Sequence, residues 1–278
     1  MLAIALALGS SACYGVSNFV GPQLAKRHTI VAVLVTSQIA ATIACIFYVL
    51  ADGAGPLSAH DTSIALLAGA GNAGGLIGFY RAAELGPLSV AAPIGALGAI
   101  VPVLWDLLGG EPLRTTEAFG MVLALAGGAL AARITRSEEV VYRDPRASVL
   151  WASFSAFCFG VFLVALPQVS DHGRAWSLLD ARIALVAILL AWAGVRLRAL
   201  RPGRESLVLS VPGLLLVGGT LLYTLAADHG SLAIVSVLGS LFPVFTVGLA
   251  AIVLAERLSR EQAIGVTAAL AGIVLIAI

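Results

Sequence analysis

Residues 13–23 read CYGVSNFVGPQ, and residues 158–168 read CFGVFLVALPQ. The two stretches share Cys, Gly, Val and a closing Pro-Gln at a spacing of 158 − 13 = 145 residues. EPLRTTEAFGMVLALAGGAL (111–130) lies over ERLSREQAIGVTAALAGIVL (256–275) at the same offset. AAELGPL (82–88) lies over AADHGSL (226–232) at 144, so one small gap separates the blocks. Matches of Ala, Leu and Val come cheaply among apolar segments. Coincident Cys, Gly, Pro-Gln and Glu-x-Leu do not, and the chain reads as an internal duplication.

Composition fixes the solvent. The chain is 60% hydrophobic and 11% charged, with a mean hydropathy of +1.02. Soluble domains carry about 25% charged residues, so this chain could not cover a globular surface in water. The net charge of +1 says nothing about nucleic acid, and with no basic patch interleaved with aromatics no nucleic-acid partner is expected. Cys13, Cys45 and Cys158 lie in apolar runs without metal-ligand spacing. They read as small packing residues, with no disulfide, metal or cofactor expected. The opening MLAIALALGSSAC lacks a basic n-region and stays apolar to about Val20, so it reads as a first membrane helix and not a cleaved signal.

A helix needs about 20 apolar residues to cross the hydrocarbon core. Ten such spans are predicted, over 2–21, 30–50, 62–83, 88–109, 115–133, 148–168, 177–198, 207–227, 231–254 and 261–278. The charged stretch RITRSEEVVYRDPRA (133–147) divides them five and five. The predicted organisation is a first five-helix repeat over 1–135, a charged linker over 136–147 and a second repeat over 148–278. Because five is odd, the second repeat enters the membrane from the opposite side. Lys and Arg favour cytoplasmic connections. Only Arg114, Arg174 and Arg182 fall in even-numbered connections, leaving 13 of the 16 bases in odd ones. The second connection, ADGAGPLSAHD, has no base, while its repeat partner RLRALRPGRE has four. Such a swap is what inverted repeats require. The predicted fold is therefore all-α and integral to the cell (inner) membrane: ten transmembrane helices as two inverted five-helix repeats, both termini outside.

At its end the chain reads LGSLFPVFTVGLAAIVLAERLSREQAIGVTAALAGIVLI (238–276), echoed in the first half by PIGALGAIVPVLWDLLGGEPL (93–113). A proline-bearing helix, a Glu-x-Leu turn and a Gly-bearing last helix in each half resemble the EamA-type branch of the drug/metabolite transporter superfamily. The resemblance implies movement of small metabolites by alternating access, through a central cavity lined by the first four helices of each half. Two departures stand out. Many members of that branch place both termini in the cytoplasm, whereas the bases here place them outside. The four-helix multidrug relatives carry a proton-binding Glu in helix 1, whereas this first span has Ser10, Ser11, Tyr14, Ser17 and Asn18 but no acid.

Polar side chains inside spans are the candidate cavity residues, with helix-to-helix bonding as their structural alternative. They are Tyr14 and Asn18 (i, i+4 on one face of the first span), Asn72 within GAGNAGGLIG, Thr220 and Tyr223 in the eighth span, and Ser236 and Ser240 in the ninth. The glycines around Asn72 make overlapping small-xxx-small pairs that admit a close neighbour. Pro93 and Pro102 in the fourth span and Pro243 in the ninth are expected to interrupt those helices near the binding region, or to curve them for packing. Asp106, beside Trp105, is either an interfacial residue or a proton or cation site. Asp180 and Arg182 are read at the start of the seventh span, with Arg182 snorkelling to the surface or lining the vestibule.

An enzyme is not expected. The four histidines lie in connections or at helix ends, no Gly-x-Ser-x-Gly elbow occurs, and no Gly-x-x-x-x-Gly-Lys loop is present for ATP. The expected function is secondary transport of a small metabolite, with export the expected direction. Translocation of a lipid or lipid-linked sugar on the same scaffold is the alternative. The expected partners are a small-molecule substrate and the lipid bilayer, with a homodimer allowed. Tyr14 and Asn18 become Phe159 and Leu163 in the second copy, so the polar lining of that helix pair is expected from the first half.

Overall fold

A computed structural model describes residues 1–25, 28, 30–85, 94–95, 97–110, 113–131, 144–193, 206–253 and 259–277. Pro93 and most of the predicted linker, residues 136–143, lie outside the described residues. Regular structure among those described is helical throughout. The helices are α1 (Leu2–Ala25), α2 (Ile30–Asp52), α3 (Ala59–Leu85), α4 (Ile100–Leu108, entered through a 3-10 turn at Leu97–Ala99), α5 (Thr115–Ala131), α6 (Pro145–Ala193), α7 (Ser206–Ala227), α8 (Leu232–Gly239), α9 (Phe242–Val253) and α10 (Arg260–Ala277).

Among the described residues, five stretches are long and apolar enough to cross a bilayer: Leu2–Gly21, Val35–Asp52, Ala59–Phe79, Arg146–Trp192 and Leu207–Ala227. The fourth is 47 residues, which as one rod would be about 70 Å long, far beyond one crossing. Its helix breaks at Gly173, where the backbone is extended (φ 169°, ψ 85°). Packing shows what the break does. A Cβ on Gly71 would lie 2.8 Å from the Cys158 carbonyl, and one on Gly69 only 2.0 Å from the Ala181 carbonyl. Neighbouring levels of α3 thus touch parts of α6 that are 23 residues apart (181 − 158), so the two arms of α6 fold back beside α3.

Glycine sets the other close contacts as well. α7 crosses α2 at Gly213, where a Cβ would fall 1.8 Å from the Ser37 carbonyl, and it meets α1 where Gly219 faces the Tyr14 ring. α5 and α10 run together through Gly120, Gly127 and Gly272, each with the partner's backbone within 3.0 Å of a built Cβ. Without a hydrophobic drive between helices in lipid, such backbone approach supplies much of the adhesion.

Large apolar side chains point outward, among them Phe47, Leu50, Phe119, Phe157, Leu207 and Ile252. In water this would be an aggregation surface; for a chain of this composition it is the lipid face. Inside, one cluster joins Ala7, Tyr223, Val235, Leu238 and Leu241, and a second joins Cys45, Ala68, Phe162, Leu166 and Leu178.

Spans 4 and 9 are the interrupted ones, as their prolines lead us to expect. The described part of span 4 begins as the 3-10 turn at Leu97–Ala99 before α4, and span 9 is α8 and α9 separated at Ser240 and Leu241. Pro102 and Pro243 do not bend a running helix. They sit third in α4 and second in α9, within first turns where the missing N–H would have had no intrahelical acceptor.

Candidate functional site

A band of buried polar side chains crosses the middle of the molecule. The Tyr14 hydroxyl lies 3.0 Å from Thr220 Oγ1, joining α1 to α7. Tyr223, one turn further along α7, is fully buried; its hydroxyl lies 2.6 Å from Ser236 Oγ of α8 and donates to the Leu163 carbonyl at 2.8 Å. That carbonyl is available because Pro167, four residues on, has no N–H to claim it. The Pro-Gln of the opening repeat thus opens one acceptor in the interior. Ser240 Oγ donates to the Ser236 carbonyl at the break between α8 and α9.

Arg182 extends this band. It is 5% exposed, and its Nη1 donates to Gln38 Oε1 of α2 at 2.7 Å. The guanidinium also acts electrostatically on Tyr14 and Cys45. Nine residues past Gly173, it stands about 14 Å into the second arm of α6. The sequence places Arg182 near the start of the seventh span, snorkelling to the surface or lining the vestibule; in the structure it is a buried, mid-helix cation, which the surface alternative does not fit. Asp180 does not neutralise it: two residues apart on a helix, the two side chains leave about 200° apart, and Asp180 is hydrogen-bonded to Thr62 of α3.

The remaining sequence candidates are placed as follows. Asn18, one turn after Tyr14, is exposed. Asn72 is half-buried in the glycine seam of α3. Asp106 is 8% exposed and accepts from Ser231 Oγ at 2.9 Å and from the Ala233 N–H at 2.7 Å. A carboxylate so placed satisfies the free donors at the start of α8 and complements its dipole. Among the described residues no group of three metal-ligating side chains occurs.

One end of the molecule is tied by polar contacts. His172 Nδ1 is 3.2 Å from Asp61 Oδ1, Arg174 pairs with Asp228, and Trp176 Nε1 donates to the Ala54 carbonyl at 3.0 Å. The turn at Gly173 is thereby fastened to the α2–α3 connection and to the α7–α8 turn. Burial pushes the Asp228 carboxyl up, Asp171 adds to the effect and Arg174 opposes it.

The EamA-like transporter family model matches residues 146–278. The match bears out the resemblance read from the residues: the second half of the chain is similar to EamA-like transporters, consistent with an EamA-type protein of the drug/metabolite transporter superfamily. A solved crystal structure shares the fold with a TM-score of 0.77 at 19% identity, covering 99% of this chain and 98% of that one. No curated protein matches. The family consists of membrane transporters of small molecules and not of enzymes.

Proposed function

We propose that the chain is a secondary transporter of a small metabolite, an exporter working by alternating access between two inverted five-helix repeats in the cell (inner) membrane, with both termini outside. The observation that carries this reading is the equivalence of glycine contacts across the repeat. Gly160 of α6 approaches the Gly98 carbonyl and Val101, and Gly15 of α1 approaches the Phe242 carbonyl and Phe245. Adding 145 to 15 gives 160, and adding 144 to 98 and 101 gives 242 and 245. Gly69 against Ala181 and Gly213 against Ser37 exchange in the same way, as do Gly75 against Phe159 and Gly219 against Tyr14. The two broken elements, at α4 and at α8–α9, fall on helices that this exchange interconverts. Discontinuous helices at a repeat interface are where transporters bind substrate.

Tyr14, Thr220, Tyr223, Ser236 and Ser240 line the proposed path, with Asn18 and Asn72 at its margins. The tied end at His172, Arg174 and Asp228 is the outer side by the distribution of bases, which makes the conformation one closed to the outside. Asp106 as a proton site competes with its capping of α8, and Asp106→Asn separates the two: only a proton site makes coupling to the gradient vanish. The test of transport is uptake and efflux of a metabolite panel in vesicles of purified protein, with and without a proton gradient. Accumulation that collapses with the gradient supports coupled transport, and saturable exchange indifferent to it supports a facilitator. Absence of saturable flux for every solute, with lipid scrambling in its place, would favour the lipid translocator.

A further inference from the structure

Arg182 is the one feature of the polar band that packing does not account for. A guanidinium stays charged in a protein and offers five donors. Setting such a cation at mid-depth in a membrane protein is costly unless a counter-charge or a ring of acceptors meets it. The ion pairs His172–Asp61, Arg174–Asp171 and Arg174–Asp228 lie at the tied end, and Arg182 takes part in none of them. Its partners there are neutral: Gln38 Oε1 accepts at 2.7 Å, and the Cys45 thiol lies against the guanidinium. A neutral amide oxygen fixes the direction of the fork without cancelling its charge. With its oxygen turned to Arg182, Gln38 directs its NH2 end elsewhere, and the Tyr14 hydroxyl is close enough to feel the guanidinium. The Tyr14 proton goes to Thr220 Oγ1, whose own proton goes to the Leu216 carbonyl, so the donors left over at this point are those of the guanidinium itself, a positive charge with no counter-charge among the described residues.

We propose that Arg182, its fork oriented by Gln38, is the binding site for the carboxylate of a mono-anionic metabolite, which enters as the missing counter-charge. The proposal rests on the transport reading for its biological sense and names the substrate class. A planar carboxylate matches the guanidinium fork, and such charge-assisted pairs are the strong ones. One cation also sets the valence: a phosphate ester carries about −1.5 to −2 at neutral pH and would leave charge unmatched here. In each transport cycle the anion would neutralise Arg182 while the helices around it move, which lowers the cost of carrying a charge through the membrane interior.

The test is calorimetric titration of the full chain in lipid nanodiscs with lactate, 2-hydroxyisocaproate, 2-oxoisovalerate and 3-phenylpropionate, each beside its neutral carboxamide. At least one carboxylate is expected to bind saturably, and its carboxamide about tenfold or more weaker. Arg182→Gln should abolish that preference, and Arg182→Lys, which keeps the charge without the fork, should retain it in weakened form. If Arg182→Gln does not fold, Gln38→Leu decides: weaker carboxylate binding upholds the site and unchanged binding overturns it. No carboxylate binding better than its amide, or binding untouched by Arg182→Gln, also overturns it. Vesicle flux keeps the two readings apart. Carboxylate binding without flux of any solute leaves the site standing and removes the transporter. Saturable flux of neutral solutes, unchanged by Arg182→Gln, does the reverse.

Discussion

Tyr223 shows how much of the interior hangs on single atoms. Its hydroxyl bridges Ser236 of α8 and the carbonyl that Pro167 releases in α6. Tyr223→Phe keeps the ring and strands that carbonyl and a buried serine. We expect a loss of about 1–2 kcal/mol, read as a lowered midpoint in denaturant unfolding from detergent, while Tyr14→Phe, which leaves Thr220 its own bond to the Leu216 carbonyl, costs less. At this scale the sequence was partly legible. Polar side chains in apolar runs singled out Tyr14, Thr220, Tyr223, Ser236 and Ser240, and these come together. Asn18 shares a run and a nominal face with Tyr14 yet is exposed, because an i, i+4 relation fixes a face and not what covers it. Arg182 was misplaced because a base near a span start is usually interfacial. The apolar ARIALVAILLAW that follows Asp180 was the available signal that it lies inside.

Among elements, close approach at glycine is the organising contact. Gly69→Ala and Gly213→Ala each drive a methyl into a carbonyl of the crossing helix, at Ala181 and Ser37. Each should destabilise by about 1–3 kcal/mol and by similar amounts, whereas Gly218→Ala, with nothing within 4 Å, should be neutral. Thermal unfolding of the three purified variants checks this. Unequal losses at 69 and 213 would count against the repeat equivalence.

The tied end carries a pH signature. Because burial raises the Asp228 carboxyl, the folded state holds that proton more tightly than the unfolded one. Its titration therefore favours the fold at acid pH, and the contribution is lost as pH rises from the ordinary carboxylate range, about 4, through the raised value. Asp228→Asn should flatten that slope in melting temperature against pH; an identical slope in both proteins would refute the assignment. Helix existence and most boundaries could be read from apolar run length and Gly/Pro breaks. The prolines announced that spans 4 and 9 are interrupted, but not where, since a proline fixes one φ and removes one donor without saying whether a helix bends there or starts there.

At the scale of the molecule, the proposed reading draws the sequence duplication, the swap of bases between equivalent connections and the paired glycine contacts into one arrangement: two copies of an element set meeting about a polar middle. Arg182, Gln38, Tyr14 and Thr220 lie where the copies meet, and the contacts at Asp61, His172, Arg174 and Asp228 close one end. The most direct test uses Cys45, which is 1% exposed and adjoins Arg182. In a Cys13→Ala, Cys158→Ala background, a small membrane-impermeant thiol reagent is applied to either face of sealed, oriented vesicles. The account predicts modification of Cys45 from both faces, with reaction from the tied face lost once Asp61→Cys and His172→Cys are bridged by a short bis-maleimide. Modification from neither face, or from one face alone with or without the bridge, would contradict alternating access to this centre.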